Sequence, residues 1–350
     1  MNQNEMIAGY VGTDPVERIY LGEELIWPTE PPIDYRSLPF TYEFETPQTI
    51  SGLFMVPMAH LFIPENTGIT MSFYAVNGDL IRTDTVIGAD LWNGPVPQTR
   101  VDNVKKMEVI IPGELVTGQK LFVKYSYIQG NYKVYGNILS LVYGDNFTNY
   151  TSYPSGWTSN NGFFYDECPI FDGDNTRLTD ASNLILADNA PAKIYFRMFS
   201  GCASLVNAPA LPATTLAQSC YQSMFSDCAS LVNAPALPAT TLADSCYLNM
   251  FAGCSLTSSP VLPATQPVND CYRHMFYGCP LTSITCNLLV DANFDYNNTL
   301  GWNSGAEQFG VFRKNPNSTW KTNSQVFADT YSQYSGVPDD WTVQDYTPTA

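Results

Sequence analysis

One stretch of this chain is written four times between Tyr195 and Leu289, and that repetition constrains the fold more than any other feature. Tyr195 to Cys220 reads YFRMFSGCASLVNAPALPATTLAQSC, and Tyr221 to Cys246 reads YQSMFSDCASLVNAPALPATTLADSC. Tyr247 to Cys271 reads YLNMFAGCSLTSSPVLPATQPVNDC, and YRHMFYGCPLTSITCNLL opens a fourth copy at Tyr272. Met198, Met224, Met250 and Met275 follow one another at 26, 26 and 25 residues, and Cys202, Cys228, Cys254 and Cys279 keep the same step. A fixed period of this length marks a solenoid, in which each unit buries its apolar side only against its neighbours.

Within the unit, Leu205, Leu231 and Leu256 stand in short apolar runs that end at a proline. Such runs suit short strands lying beside their counterparts, with Pro209 and Pro235 at a strand end or irregular edge. Leu216, Cys220, Tyr221, Met224 and Phe225 follow at helical spacing, which predicts a turn or two of helix capped by Thr214 or Thr215. Gly201, Gly253 and Gly278 then let the chain turn out of the helix. The expected coil is strand, turn and helix, the leucine-rich-repeat type of solenoid.

The pattern CYxxMFxGCxSLxxAPxLPATxLAxxCYxxMF resembles the repeat of the BspA-like leucine-rich-repeat family, found in surface proteins of gut and oral bacteria and in phages that infect them. VYGNILSLVYGDNFTN (Val134–Asn149) and SNLIL (Ser182–Leu186) resemble the segment preceding such repeats. FGVFRKNPNSTW (Phe309–Trp320) and SGVPDDWTV (Ser335–Val343) resemble their C-terminal cap. The resemblance covers roughly residues 130–345. It implies a fold and leaves the function to the surface residues, because a solenoid is a scaffold.

Upstream, GYVGTDPVERIYLGEELIWP (Gly9–Pro28) alternates around Val16, Ile19, Leu21, Leu25 and Trp27, with a turn at Leu21-Gly22-Glu23-Glu24. That is a small hairpin. It resembles a short N-terminal module of phage tail and fibre proteins, and the resemblance implies that Tyr20, Leu21, Gly22, Leu25 and Trp27 attach the chain to a virion. An ordinary hairpin packed on the next domain is the other reading. Large aromatics anchor interfaces, which singles out Trp27. The proline-rich stretch 31–39 reads as an extended linker. FTYEFET, GITMSFYAV, KKMEVIIP and KLFVKYSYI read as strands, and Asn77-Gly78-Asp79 as a hairpin turn.

The expected fold class is mostly β with short helices: an N-terminal hairpin and a β-sandwich-like domain, then the solenoid and its cap. In residue numbers the expected organisation is an attachment hairpin at 1–30, a linker at 31–39 and a β domain at 40–150. A transition and N-terminal cap follow at 151–194, the repeats at 195–290 and a C-terminal cap at 291–350.

Charge narrows the partners. The chain carries a net charge of −17 and shows no basic stripe to displace counterions from nucleic acid. Only Asp227, Asp244, Asp270, Arg197 and Arg273 are charged within 195–290. A near-neutral repeat suits contact with other protein or with a neutral glycan. No run of about 18 apolar residues predicts a membrane span. The N-terminus has neither a basic nor an apolar leader segment, which favours a phage protein released from the cytoplasm over an exported adhesin.

Of the nine cysteines, eight lie in the repeat zone and Cys168 precedes it. An odd number argues against a complete disulfide framework. Equivalent cysteines stacked coil on coil as buried free thiols are expected instead. Cys220 and Cys228 lie eight apart with no histidine nearby, unlike a zinc site. Asp172, Asp174, Asn175 and Asp180 alternate as calcium ligands do, but without the full loop; an Asx-turn into the first repeat is the expected reading. His60 and His274 are the only histidines, and His274 sits at a variable repeat position. No GxSxG, P-loop or HExxH occurs. No catalytic residue, metal or cofactor is therefore expected, although a polysaccharide-cleaving carboxylate pair leaves no sequence signature.

The sequence thus reads as a phage virion structural protein, a head or tail fibre or decoration protein on the virion surface. It would display the repeat to the host cell or its polysaccharide. Other virion proteins are the expected partners, along with further copies of the chain in a homo-oligomer, trimeric as in the fibre class. A bacterial surface adhesin and a host-glycan-degrading enzyme are the alternatives. The ligand candidates are the repeated Asn207 and Asn233, with Ser204 and Ser230, on the strand face. Trp302, Trp320 and Trp341 are candidate stacking platforms in the cap. Buried asparagine ladders and core-closing tryptophans are the competing readings.

Overall fold

The computed structural model describes strands within 9–27 (9–11, 14–16, 19–21 and 24–27) and residues 33–51, 53–54, 68–87, 100–110, 124–125 and 130–155. It further describes 176–291, 310–322, 324–325 and 336–346. The chain divides into two compact units, Met1–Asp34 and Tyr35–Ala350. Strand far outweighs helix.

The first unit holds two antiparallel pairs. β1 (Gly9–Val11) pairs with β2 (Asp14–Val16), and β3 (Ile19–Leu21) pairs with β4 (Glu24–Trp27). The second pair is the hairpin expected around Leu21-Gly22-Glu23-Glu24, with Leu21 opposite Glu24 and Tyr20 opposite Leu25. The β1–β2 pair was not legible in the alternation.

The second unit opens with β5 (Phe40–Ser51), β6 (Leu53–Phe54), β7 (Gly68–Tyr74), β8 (Leu80–Ile87), β9 (Arg100–Ile110), β10 (Lys124–Tyr125) and β11 (Tyr132–Asn137). β12 (Leu178–Asp180) and β13 (Leu184–Ile185) follow. One seven-stranded sheet runs β12-β11-β5-β9-β7-β8, with β13 also beside β11; β6 and β10 form a separate pair. Among the described residues, 40–150 show one large sheet and the short β6–β10 pair, not the two packed sheets of the expected β-sandwich. One face carries Phe40, Tyr42, Phe44, Met71, Phe73, Met107, Val109, Tyr132 and Val134, all buried. The other carries the cross-strand rows Lys133, Glu43, Lys106, Tyr74 and Tyr135, Thr41, Glu108, Ser72. This is the period-2 alternation of a sheet with one covered face. The short helix α1 (Ser140–Tyr143) packs all four of its residues inside. The Ser140 hydroxyl accepts the Phe40 amide at 2.9 Å and donates to the Val109 carbonyl at 3.3 Å. The β7–β8 hairpin turns at Asn77-Gly78 as expected, with Gly78 at φ 85°.

The sheet does not stop at β12. The Ala181 amide donates to the Asn207 carbonyl and the Val206 amide to the Thr179 carbonyl, each at 2.9 Å. The first repeat therefore continues the hydrogen-bonded order of the sheet. At the far end β14 (Ser258–Leu262), β15 (Ser283–Cys286), β16 (Val311–Lys314) and β17 (Thr342–Asp345) form a four-stranded parallel sheet. Residues 311–314 and 342–345 thus stack as further layers beyond the fourth copy. In the first two copies the proline-bearing runs around Pro209 and Pro235 form no strand, only the isolated bridge Asp180–Asn207. Where β14 meets β15, only one of the two runs carries the proline, and a ladder forms. Two facing prolines remove donors from both sides.

Equivalent residues of adjacent copies lie in contact. Tyr195, Tyr221, Tyr247 and Tyr272 stack at 5.5, 5.8 and 5.7 Å. Phe199, Phe225, Phe251 and Phe276 stack at 5.4, 5.6 and 5.8 Å, within 3° of parallel. One continuous apolar core runs from Phe40 to Trp341.

The helix expected at Leu216–Phe225 is corrected. The segment is a run of tight turns, and so are its counterparts in the other copies. Ser219, Ser223 and Asp227 take φ 54°, 54° and 61°, so every fourth residue is left-handed; Ser245, Asn249 and Gly253 repeat this in the next copy. The amides of Ser219, Tyr221, Ser223, Phe225 and Asp227 donate to the carbonyls of Asp244, Cys246, Leu248, Met250 and Ala252, one layer further along. The intervening amides of Cys220, Gln222, Met224, Ser226 and Cys228 donate three residues back. Spacing explains the choice: layers 5.4–5.8 Å apart are too close for helices, which need about 8–10 Å between axes, and close to the separation of hydrogen-bonded strands, about 4.8 Å.

Candidate binding surface

Asn207 and Asn233 form a row of exposed polar groups in register with the repeat, and half-buried Asp180 extends it by one layer. Asp180 bridges Asn207, and Asn233 occupies the equivalent position in the next copy. Both asparagines are exposed, which rules out the buried ladder for these two. The Asn207 amide nitrogen donates to Asp180 Oδ2 at 3.1 Å. Asp180 Oδ1 accepts the Ser182 amide at 2.8 Å and hydroxyl at 2.7 Å, the Asx-turn read from the sequence. Asp172, Asp174 and Asn175 lie outside the described residues. Asp180 thereby fixes the Asn207 amide and leaves its oxygen and one N–H for a ligand. Val206 and Val232 flank the asparagines and are each 46% exposed. Ser204 and Ser230 are half-buried.

A cleft of about 260 Å³ opens at the junction of sheet and first repeat, lined by Glu43, Glu45, Lys105, Lys133, Thr179 and Asp180. Glu43 faces Lys133 at 3.3 Å and Lys105 at 3.8 Å. Lys105 Nζ donates to the Glu45 carbonyl at 3.2 Å. Asp180 belongs both to this cleft and to the asparagine row. The cleft escaped the sequence reading because its side chains come from four distant elements, and nothing in the local pattern of any one signals the others.

An asparagine ladder does exist, elsewhere. Asn315 Nδ2 donates to Asn287 Oδ1 at 3.0 Å, and Asn287 Nδ2 donates to the Pro263 carbonyl at 3.1 Å. Asn315 is buried. The tryptophans expected as platforms serve the core instead. Trp341 is buried, and Trp320 is half-buried with its ring edge-on to Phe312 at 4.9 Å. Trp302 lies outside the described residues. Tyr20, Leu21, Leu25 and Trp27 fall on the β3–β4 hairpin, and Gly22 lies outside the described residues.

His274, at its variable repeat position, is half-buried 5.8 Å from the Tyr277 ring. Burial, then the Arg273 charge, lowers its pKa, partly offset by Asp270. His60 lies outside the described residues, as does Cys168. The eight repeat-zone cysteines are free and buried. Burial pushes Cys202, Cys220, Cys271 and Cys279 up to about 12. These thiols are poor nucleophiles and poor metal ligands. Among the described residues no group of three histidine, cysteine or acidic side chains is placed to hold a metal, and no helix is long and apolar enough to cross a membrane.

No family model, curated protein or solved structure matches the chain.

Proposed function

We propose that this chain is a phage virion surface protein: its stacked copies form a solenoid of the BspA-like leucine-rich-repeat kind that displays a binding face for a neutral, repeating glycan of the host. The observation carrying this reading is the row of exposed Asn207 and Asn233 continued by half-buried Asp180, one polar group per layer. Amides supply donors and acceptors together, which matches sugar hydroxyls. The flanking valines offer apolar surface to the carbon face of a sugar ring. The junction cleft, with its alternating carboxylates and ammonium groups, receives the end of the glycan.

Binding of host capsular polysaccharide to the wild type and to Asn207→Ala plus Asn233→Ala is the test. Both side chains are exposed, so the double variant folds, and its affinity falls at least about tenfold if each amide contributes an ordinary hydrogen bond. Equal binding removes this face from consideration. The virion assignment rests on the N-terminal hairpin. A chain starting near Pro39 folds and stays soluble but fails to join the particle; normal incorporation refutes the attachment role.

A further inference from the structure

The seven-stranded sheet ends, on the side away from the repeats, on β8. Among the described residues β8 pairs only with β7. Among the described residues no strand lies beside its outer edge, whose row of backbone donors and acceptors is a template for another strand. Leu80 to Thr83 and Thr85 are exposed. Leu80 and Ile81 are 56% and 41% exposed, and Val76 in the adjoining turn is 68% exposed.

We propose that β8 is a homodimerisation edge, where two copies of this chain pair antiparallel about a two-fold axis at Thr83 and join their sheets. The strand reads Leu-Ile-Arg-Thr-Asp-Thr-Val-Ile. About Thr83, Arg82 of one copy lies opposite Asp84 of the other, and Ile81 opposite Thr85. Directly opposed side chains have Cβ atoms about 4.5–5.5 Å apart and interact. Arg82 and Asp84 already pair within the strand. In the dimer four charges of alternating sign form a closed set.

Charge decides the partner. On a chain of net −17, a contact between copies must lie where like charges do not meet. β8 carries one Arg and one Asp, so its net charge is zero. Charged residues often protect an edge strand, but they do so when self-pairing brings like charges together. Here the antiparallel register opposes unlike charges. Shifting it by one residue sets Thr83 opposite Asp84 and Arg82 opposite Thr85, and loses both ion pairs. The second copy brings its Arg82 guanidinium beside the Asp84 carboxylate, and planar guanidinium–carboxylate pairs are strong and directional.

Sedimentation of the full chain tests this. The wild type is a dimer at micromolar concentration. Arg82→Asp sets carboxylates opposite each other twice and raises the dimer dissociation constant at least about tenfold. Exchanging the pair, Arg82→Asp with Asp84→Arg, restores association because unlike charges again oppose. Asp84 is mostly buried, so that exchange can cost the fold. Mild oxidation of Thr83→Cys provides a second readout. Its thiols meet across the axis and cross-link the dimer, whereas Thr85→Cys, facing Ile81, stays at the wild-type background. A chain monomeric at all concentrations, association unchanged by Arg82→Asp, or equal cross-linking of Thr83→Cys and Thr85→Cys overturns the proposal. A monomer that captures a strand of another virion protein does so too.

Discussion

Cys228 donates its thiol to the Phe199 carbonyl of the preceding copy at 3.1 Å. Cys254 does the same to Phe225 at 3.1 Å, and Cys279 to Phe251 at 3.0 Å. Each of these carbonyls also accepts the amide three residues on. A reading of the repeat cysteines as merely small apolar groups is therefore incomplete, since this column ties neighbouring layers together.

Thiol counting on the native and the denatured chain checks the free state. The eight repeat-zone thiols should be silent in the native protein and react on unfolding. Four disulfides would sink the ladder. Cys228→Ser retains a donor towards Phe199, so its cost should sit near 1 kcal/mol, the low end for a buried hydroxyl. Cys228→Ala should cost more, because a gap and a lost bond combine.

Alkaline stability follows from the same burial. The thiols have folded pKa values raised above the unfolded value, to about 12 for Cys202, Cys220, Cys271 and Cys279. The folded chain thus holds protons that the unfolded chain releases. Their stabilisation is complete below about pH 8.5, the pKa of an unperturbed thiol, and is lost as pH rises towards 12. Thermal melts should be flat in this respect to pH 8 and fall steeply above pH 9. A melting temperature unchanged between pH 8 and 10.5 would contradict the burial.

The tyrosine column predicts opposite outcomes for one substitution. Tyr195 Oη accepts the Ala187 amide at 3.1 Å, while Tyr221 Oη is buried with no hydrogen-bond partner. Tyr195→Phe leaves a buried N–H unsatisfied and should cost about 1–3 kcal/mol. Tyr221→Phe removes a stranded hydroxyl and should be neutral or stabilising by about 1 kcal/mol. Denaturant titration of both variants distinguishes them, and equal losses would refute the contrast.

Two features favour glycine at position 253. Its φ is 74°, and a Cβ there would meet Asp227 Oδ1 at 2.5 Å. Gly253→Ala should lose about 1–2 kcal/mol from the left-handed backbone, with more from the contact. Replacing Asp227 by Gly in the same background should recover the part due to the clash. A denaturant midpoint for Gly253→Ala equal to the wild type would remove glycine's special role here.

The layers are legible in the amino-acid sequence alone. Strict phase of Met-Phe, Cys and Tyr at 26 or 25 residues placed the buried column correctly, because identical side chains in identical surroundings stack on themselves. Alternation also found β5, β7, β9 and the β3–β4 hairpin, and the Asn-Gly pair found the β7–β8 turn. The path of the chain between buried positions depends on contacts between layers. Buried pairs at Cys220-Tyr221 and Met224-Phe225 fit a helix and a four-residue turn equally well. Helical hydrogen bonds stay within one segment, whereas the turns need carbonyls from the next copy about 25 residues away. The sequence shows the buried pairs but not the layer spacing that makes those carbonyls available. The junction cleft and the exposure of Asn207 have the same origin: Glu43, Lys133 and Asp180 meet only because β12 joins the edge of the sheet and the first repeat continues from it.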